Sequence, residues 1–304
     1  MSGNEQFTPL PRTEDDLAEL RELVIRGNRP AYDIELESAV RDLEDSLRHN
    51  DEPGLPYDPL LRAVRSKSHG YAQRIPSIIT GRDHHGLSRH EWAAFILFDW
   101  RGDKYINLRE QFRLPLKLTQ LLASRVPMTH PWNRFEKVDA QMSVDLVATL
   151  VGGNRWVAVD IKEDEALNAP EPRPGKRRRS TKRTKQKLRL ATVAMALAGV
   201  EHTVLTPSMM PHNVVQNIRH LRRFVLPFDA VPLEGVEVAE IEPAMLAFLR
   251  AGEPIDVAAE KVGGVFGIPQ ANLGAWAMWC VATRRWLVDF NEEIAPDLPL
   301  TFKA

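Results

Sequence analysis

The sequence predicts an α/β protein: a mixed core between an acidic helical N-terminal segment and a small C-terminal winged-helix-like domain. Three observations carry this. Two apolar, strand-like runs flank Gly152-Gly153-Asn154, a strong hairpin signal. Around that hairpin the periodicity alternates, with a helix and a strand before it and a helix and a short strand after it. Beyond residue 229, three short helical runs precede one strand-like run. The expected divisions are therefore 1–60, 61–228 and 229–304.

Residues 1–60 hold 15 acidic and 6 basic side chains. Thr13, followed by Asp16, resembles a helix N-cap opening a run to Ile25. Leu36, Val40, Leu43 and Leu47 then repeat at helical spacing and give one apolar stripe, which suits packing against the rest of the protein. The stretch DEPGLPYDP at 51–59 ends that helix with three prolines and a glycine.

In the core, Ser88 caps a helical run from Arg89 to Trp100 whose Trp92, Phe95, Ile96 and Phe98 suit burial. Strand-like stretches follow at Tyr105–Leu118, Met142–Val151 and Arg155–Lys162. After them the periodicity predicts a helix over Lys185–Ala198, a strand over His202–Leu205 and a helix over His212–Phe224. The C-terminal helices are expected at Pro243–Ala251, Ile255–Val265 and Asn272–Ala282, and the strand at Arg285–Phe290. Trp276, Trp279 and Trp286 suit the core of this small domain, and Cys280 an inert buried thiol.

Composition excludes several classes. Among 304 residues Cys280 is the only cysteine, so neither an internal disulfide framework nor a zinc site of several thiolates can form, and a reducing cytoplasm is expected. No apolar run reaches membrane-spanning length, and MSGNEQFTPLPRTEDD has no basic stretch ahead of an apolar core, so neither membrane insertion nor secretion is expected. The net charge of −1 conceals a basic block. Arg173–Arg189 reads RPGKRRRSTKRTKQKLR, ten Lys or Arg with no acid, which predicts a mobile, self-repelling segment. Lys176, Arg177, Arg178, Arg179, Lys182, Arg183, Lys185 and Lys187 are its candidates for phosphate contact; a solvated linker is the alternative.

The candidate chemistry lies around the hairpin. Alternate side chains of a strand share a face, so Asp160 and Lys162 point the same way. Asp145 sits among apolar neighbours on the preceding strand, where a carboxylate needs a partner. Glu91 opens the Ser88-capped helix. Together these groups would form a hard-oxygen site for Mg²⁺ with an ammonium beside it. Each also has a plainer explanation: a surface salt bridge for Asp160 and Lys162, a strand-edge aspartate for Asp145, and a first-turn acid for Glu91. Asp83-His84-His85 and His130-Pro131 read as structural turns.

Several stretches together resemble the TnsA-like endonuclease subunits of heteromeric transposases, within the PD-(D/E)xK restriction-nuclease-like superfamily. Gly81-Arg82-Asp83-His84-His85-Gly86-Leu87-Ser88-Arg89-His90-Glu91 is similar to the segment ending in that family's catalytic glutamate. Leu108-Arg109-Glu110-Gln111-Phe112-Arg113-Leu114 resembles its Ile-Arg-Glu-Gln-Tyr-Pro-Leu strand, and Val126–Pro131 its Gly-Ile-x-His-Pro turn. Ser143–Leu146 resembles its Thr-x-Asp-Phe, and Asn217-Ile218 with Leu221 its closing helix.

The resemblance implies a restriction-endonuclease-like core and a metal-dependent endonuclease that cuts the 5′ side at transposon ends. It implies Mg²⁺, with Mn²⁺ as substitute, held by Glu91, Asp145, Asp160 and the Ile161 carbonyl, with Lys162 as the catalytic lysine. Where the family often has Gln, this chain has Asp160. Implied partners are double-stranded DNA at transposon ends, a DDE transposase, and an AAA+ ATPase docking on the C-terminal domain. A stand-alone restriction or repair nuclease and a non-catalytic DNA-binding adaptor are the alternatives.

Overall fold

The computed structural model describes residues 30–49, 57–63, 72–125, 129–133, 135–164, 167, 181–225, 233 and 238–303. The helix expected after Thr13 lies outside them. Contacts divide the chain into two compact units, one ending at Met210 and the next beginning at Pro211.

Helix α1 spans Pro30–His49, and its stripe packs as expected: Leu36, Ala39, Leu43 and Leu47 are buried in the core, with Val40 at its margin. Arg109 anchors its end by donating from Nη1 to the Ser46 carbonyl at 3.3 Å and the Leu47 carbonyl at 2.9 Å. Those carbonyls have no partner within the helix, and a cation there faces the negative end of the helix dipole.

Two short strands, β1 (Gln73–Pro76) and β2 (Asp83–Gly86), pair antiparallel and lead into α2 (Arg89–Asp99). Strand β3 (Tyr105–Arg113) then joins β6 (Ser143–Leu150), β7 (Trp156–Ile161) and β8 (Glu201–Leu205) in a four-stranded mixed sheet ordered β3-β6-β7-β8. The first two pairings are antiparallel, and β7–β8 is parallel. Parallel neighbours need a crossover, supplied by helix α4 (Thr181–Leu197). Helices α1 and α4, with α3 (Leu116–Arg125), share one hydrophobic core with the sheet, while α2 packs against β3, β6 and β7. Gly152, Gly153 and Asn154 turn β6 into β7 with φ of 98°, 68° and 53°, a left-handed run that glycine adopts without penalty. Trp132–Asn133 (β4) and Val138–Asp139 (β5) form a small separate hairpin.

Two expectations are corrected here. The strand expected over Tyr105–Leu118 stops at Arg113, and α3 follows, because Pro115 donates nothing to a ladder while Leu118 and Leu122 bury at helical spacing. The basic block, expected to be mobile up to a helix opening at Lys185, is helical already from Thr181 onward. Its Lys and Arg residues favour helix, and Leu188, Leu190 and Ala191 bury against the core.

The unit beginning at Pro211 contains α5 (His212–Leu221), α6 (Val238–Arg250), α7 (Ile255–Phe266) and α8 (Gln270–Ala282). The expected boundary at 228/229 would assign α5 to the core, but α5 packs against α8 within this unit. Asn217 fixes it there, donating from Nδ2 to the carbonyls of Phe290 at 3.0 Å and Glu292 at 2.6 Å and accepting from Ile294 N–H at 3.0 Å. The strand expected at Arg285–Phe290 reduces to one bridge, Val288 to Phe302. Trp276 and Trp286 pack edge to face at 5.3 Å, Trp279 is half-buried, and burial pushes the Cys280 thiol up to about 12. No helix among the described residues is long and apolar enough to cross a membrane.

Candidate active site

Ser88 Oγ accepts from the Glu91 backbone N–H at 3.1 Å, which starts α2 and sets Glu91 at the third helical position. Glu91 Oε2 accepts from the Leu87 N–H at 3.2 Å and from Gln111 Nε2 at 3.3 Å. The same Gln111 nitrogen donates to Asp145 Oδ1 at 3.2 Å. One amide therefore joins the helix carboxylate to the strand carboxylate.

Asp145 Oδ2 accepts from the Ile161 N–H at 2.8 Å and from Lys162 Nζ at 2.7 Å. Lys162 Nζ also donates to Asp160 Oδ1 at 2.8 Å and to the Ile161 carbonyl at 3.0 Å. The shared-face expectation for Asp160 and Lys162 holds. Asp160 Oδ2 accepts from His202 Nε2 at 3.0 Å, and His202 Nδ1 meets Thr192 Oγ1 of α4 at 2.9 Å. A continuous line of polar contacts thus crosses the sheet from α2 through β6 and β7 to β8.

The electrostatics separate the three carboxylates. Burial, the Asp160 charge and, more weakly, the Glu91 charge push Asp145 up to about 7, against the pull of Lys162. Burial likewise raises Glu91. Burial alone would raise Asp160 too, but His202 and Lys162 outweigh it and hold Asp160 below the ordinary range. Burial disfavours the Lys162 ammonium, yet Asp145 and Asp160 more than offset this and raise it.

Beside this line lies a second network that sequence reasoning missed. Glu110 Oε2 meets His84 Nδ1 at 2.7 Å and accepts from Arg82 at 3.0 Å, while Oε1 accepts from the His85 N–H at 3.1 Å. Burial opposes ionisation, but His84 and Arg82 hold Glu110 down at about 2. His84 sits in strand β2, not in a turn, and its Nε2 reaches Thr80 Oγ1 at 2.7 Å. Glu91, Asp145, Ile161, His84 and Glu110 line one pocket. Gln111 and Glu110 lie within the Leu108–Leu114 stretch, but nothing in the linear pattern indicates which side chains they meet. His202 carried no signal beyond its strand.

Of the basic candidates, Lys176, Arg177, Arg178 and Arg179 lie outside the described residues, as does the Lys182 side chain. Arg183, Lys185 and Lys187 are exposed on α4. Desolvation lowers Lys187, and the charges of Arg183 and Lys162 lower it further, so this residue lies within electrostatic reach of the candidate centre.

The donors of Glu91, Asp145 and the Ile161 carbonyl are hard oxygens, which fit Mg²⁺ chemically. No group of three His, Cys, Asp or Glu side chains among the described residues is arranged to hold a metal ion. The interval between Glu91 and Asp145 holds the Gln111 amide.

No family model matches the chain. One stretch of 115 residues, 38% of this chain, is 36% identical to the transposon Tn7 transposition protein TnsA of Escherichia coli. The match covers 41% of that protein's length. An α/β unit with a mixed sheet is compatible with a nuclease fold.

Proposed function

We propose that this chain is the DNA endonuclease subunit of a heteromeric transposase and hydrolyses a phosphodiester on the 5′ side at transposon ends. The observation that carries the reading is Lys162 gripped between Asp145 and Asp160, with Glu91 joined to Asp145 through Gln111. The TnsA-like similarity supports it.

In this reading Glu91, Asp145 and the Ile161 carbonyl hold Mg²⁺, with Asp160 at its margin. When bound, the ion supplies activation of water and charge neutralisation at the phosphate. Lys162 donates to a phosphate oxygen and stabilises the charge that builds there. Asp160 aims that ammonium, and His202 aims Asp160. Arg183, Lys185 and Lys187, with the basic residues preceding them, engage the duplex backbone. A DDE transposase completes the reaction, and an AAA+ ATPase docks on the C-terminal domain.

The test is reconstitution with transposase, end DNA and Mg²⁺, beside Asp145→Ala. Loss of 5′ cuts in a folded variant supports the reading. Cutting by the variant at the wild-type rate overturns it. A non-catalytic adaptor would support DNA assembly while neither protein cuts.

A further inference from the structure

Gln111 occupies an unusual position twice over. Its backbone has φ 47°, a left-handed conformation inside a strand, which a side chain of this length adopts only where its surroundings enforce it. The surroundings are visible: the Gln111 carbonyl accepts from the Leu60 N–H at 3.1 Å, and its side-chain Oε1 accepts from Ser143 Oγ at 3.1 Å. With Oε1 committed to Ser143, Nε2 faces Glu91 Oε2 at 3.3 Å and Asp145 Oδ1 at 3.2 Å. The opposite amide orientation would set Oε1 against two carboxylate oxygens, which only accept when ionised.

An amide nitrogen carrying two protons between two carboxylates stands in for a cation. It supplies the positive ends of two N–H dipoles where two half-buried carboxylates would otherwise repel. We propose that Gln111 is the lock of the cation site: its carboxamide fills the gap between Glu91 and Asp145, and a divalent ion enters as the amide leaves. This rests on the reading of Glu91 and Asp145 as metal ligands and adds a regulatory element to it. The lock gives Glu91 Oε2 and Asp145 Oδ1 a shared donor in the metal-free protein, at the expense of metal affinity. It also makes the ordering of the site sensitive to anything that moves β3 at Gln111, including the segment at Leu60 that holds its carbonyl.

The test is calorimetric titration of Mn²⁺ into the full-length protein, Gln111→Asn, Gln111→Met and Asp145→Ala, with circular dichroism to verify folding. Asn tolerates a left-handed backbone but is one methylene too short to span both carboxylates, and Met matches the length without an amide. Both variants should bind Mn²⁺ about tenfold more tightly, the factor expected when a charge-assisted hydrogen bond no longer competes. Binding in these variants where the unaltered protein shows none supports the lock equally. If Asp145→Ala abolishes binding while both Gln111 variants bind no more tightly than wild type, the lock is overturned and the carboxylate site stands. If neither wild type nor the Gln111 variants bind, both readings fall. Should Gln111→Met not fold, Gln111→Asn alone decides.

Discussion

His202 Nε2 donates to Asp160 Oδ2 at 3.0 Å from the neighbouring parallel strand, so the carboxylate that braces Lys162 is itself braced. Replacing His202 with Ala leaves a buried carboxylate oxygen unmatched, at a cost of about 1–3 kcal/mol. Urea denaturation should register that loss, and His202→Gln, which keeps a donor, should recover part of it. If the chain is the proposed endonuclease subunit, end cleavage by His202→Ala should fall about tenfold or more through a misaimed Lys162. A variant with unchanged stability and cleavage would show that Asp160 needs no brace.

Asp145 gives stability a pH dependence of defined sign. Its value of about 7 lies above the ordinary 3.8, so the folded state binds the extra proton in between. Its contribution is complete below 3.8 and is lost as pH rises through about 7. Between pH 5 and 8, in metal-free buffer, the wild type should lose on the order of 1–2 kcal/mol relative to Asp145→Asn. Parallel slopes for the two proteins would refute this.

Glu110 works in the other direction. Its value of about 2 lies below the ordinary 4.5, so its contribution is present above 4.5 and lost as pH falls through about 2. Glu110→Gln should cost about 1–3 kcal/mol at neutral pH, because Arg82 and His84 lose an anionic partner. Denaturation series from pH 2.5 to 6 should show the acid slope of the wild type flattened in the variant.

The exposed cations of α4 predict a salt signature. If Arg183, Lys185 and Lys187 each neutralise a phosphate, changing all three to Ala should reduce the slope of log K against log salt by about 2–3. Fluorescence anisotropy with duplex DNA measures this. An unchanged slope would remove α4 from the interface.

What the sequence disclosed depended on range. Glu91 was legible because Ser88 and Glu91 form a local capping pattern, and Asp160 with Lys162 because a strand repeats every two residues. The Gly152-Gly153-Asn154 hairpin announced itself through backbone chemistry. By contrast, α3 was masked because Leu114, Leu116 and Leu118 alternate like a strand, and only Leu122 reveals the helical spacing. Gln111, Glu110 and His202 act through partners distant in sequence, 20 to 42 residues away in the hydrogen bonds named. No linear pattern encodes those meetings.

The break at Met210/Pro211 has a practical consequence for dissecting the chain. An N-terminal fragment cut at residue 228 would carry α5 away from α8 and from the carbonyls that Asn217 holds. Val215, Ile218 and Leu221, buried in the intact protein, would lose that cover and make the fragment sticky. Ending the fragment at Met210 leaves that amphipathic helix with its own partners, and solubility of the two fragments would reveal which cut respects the fold.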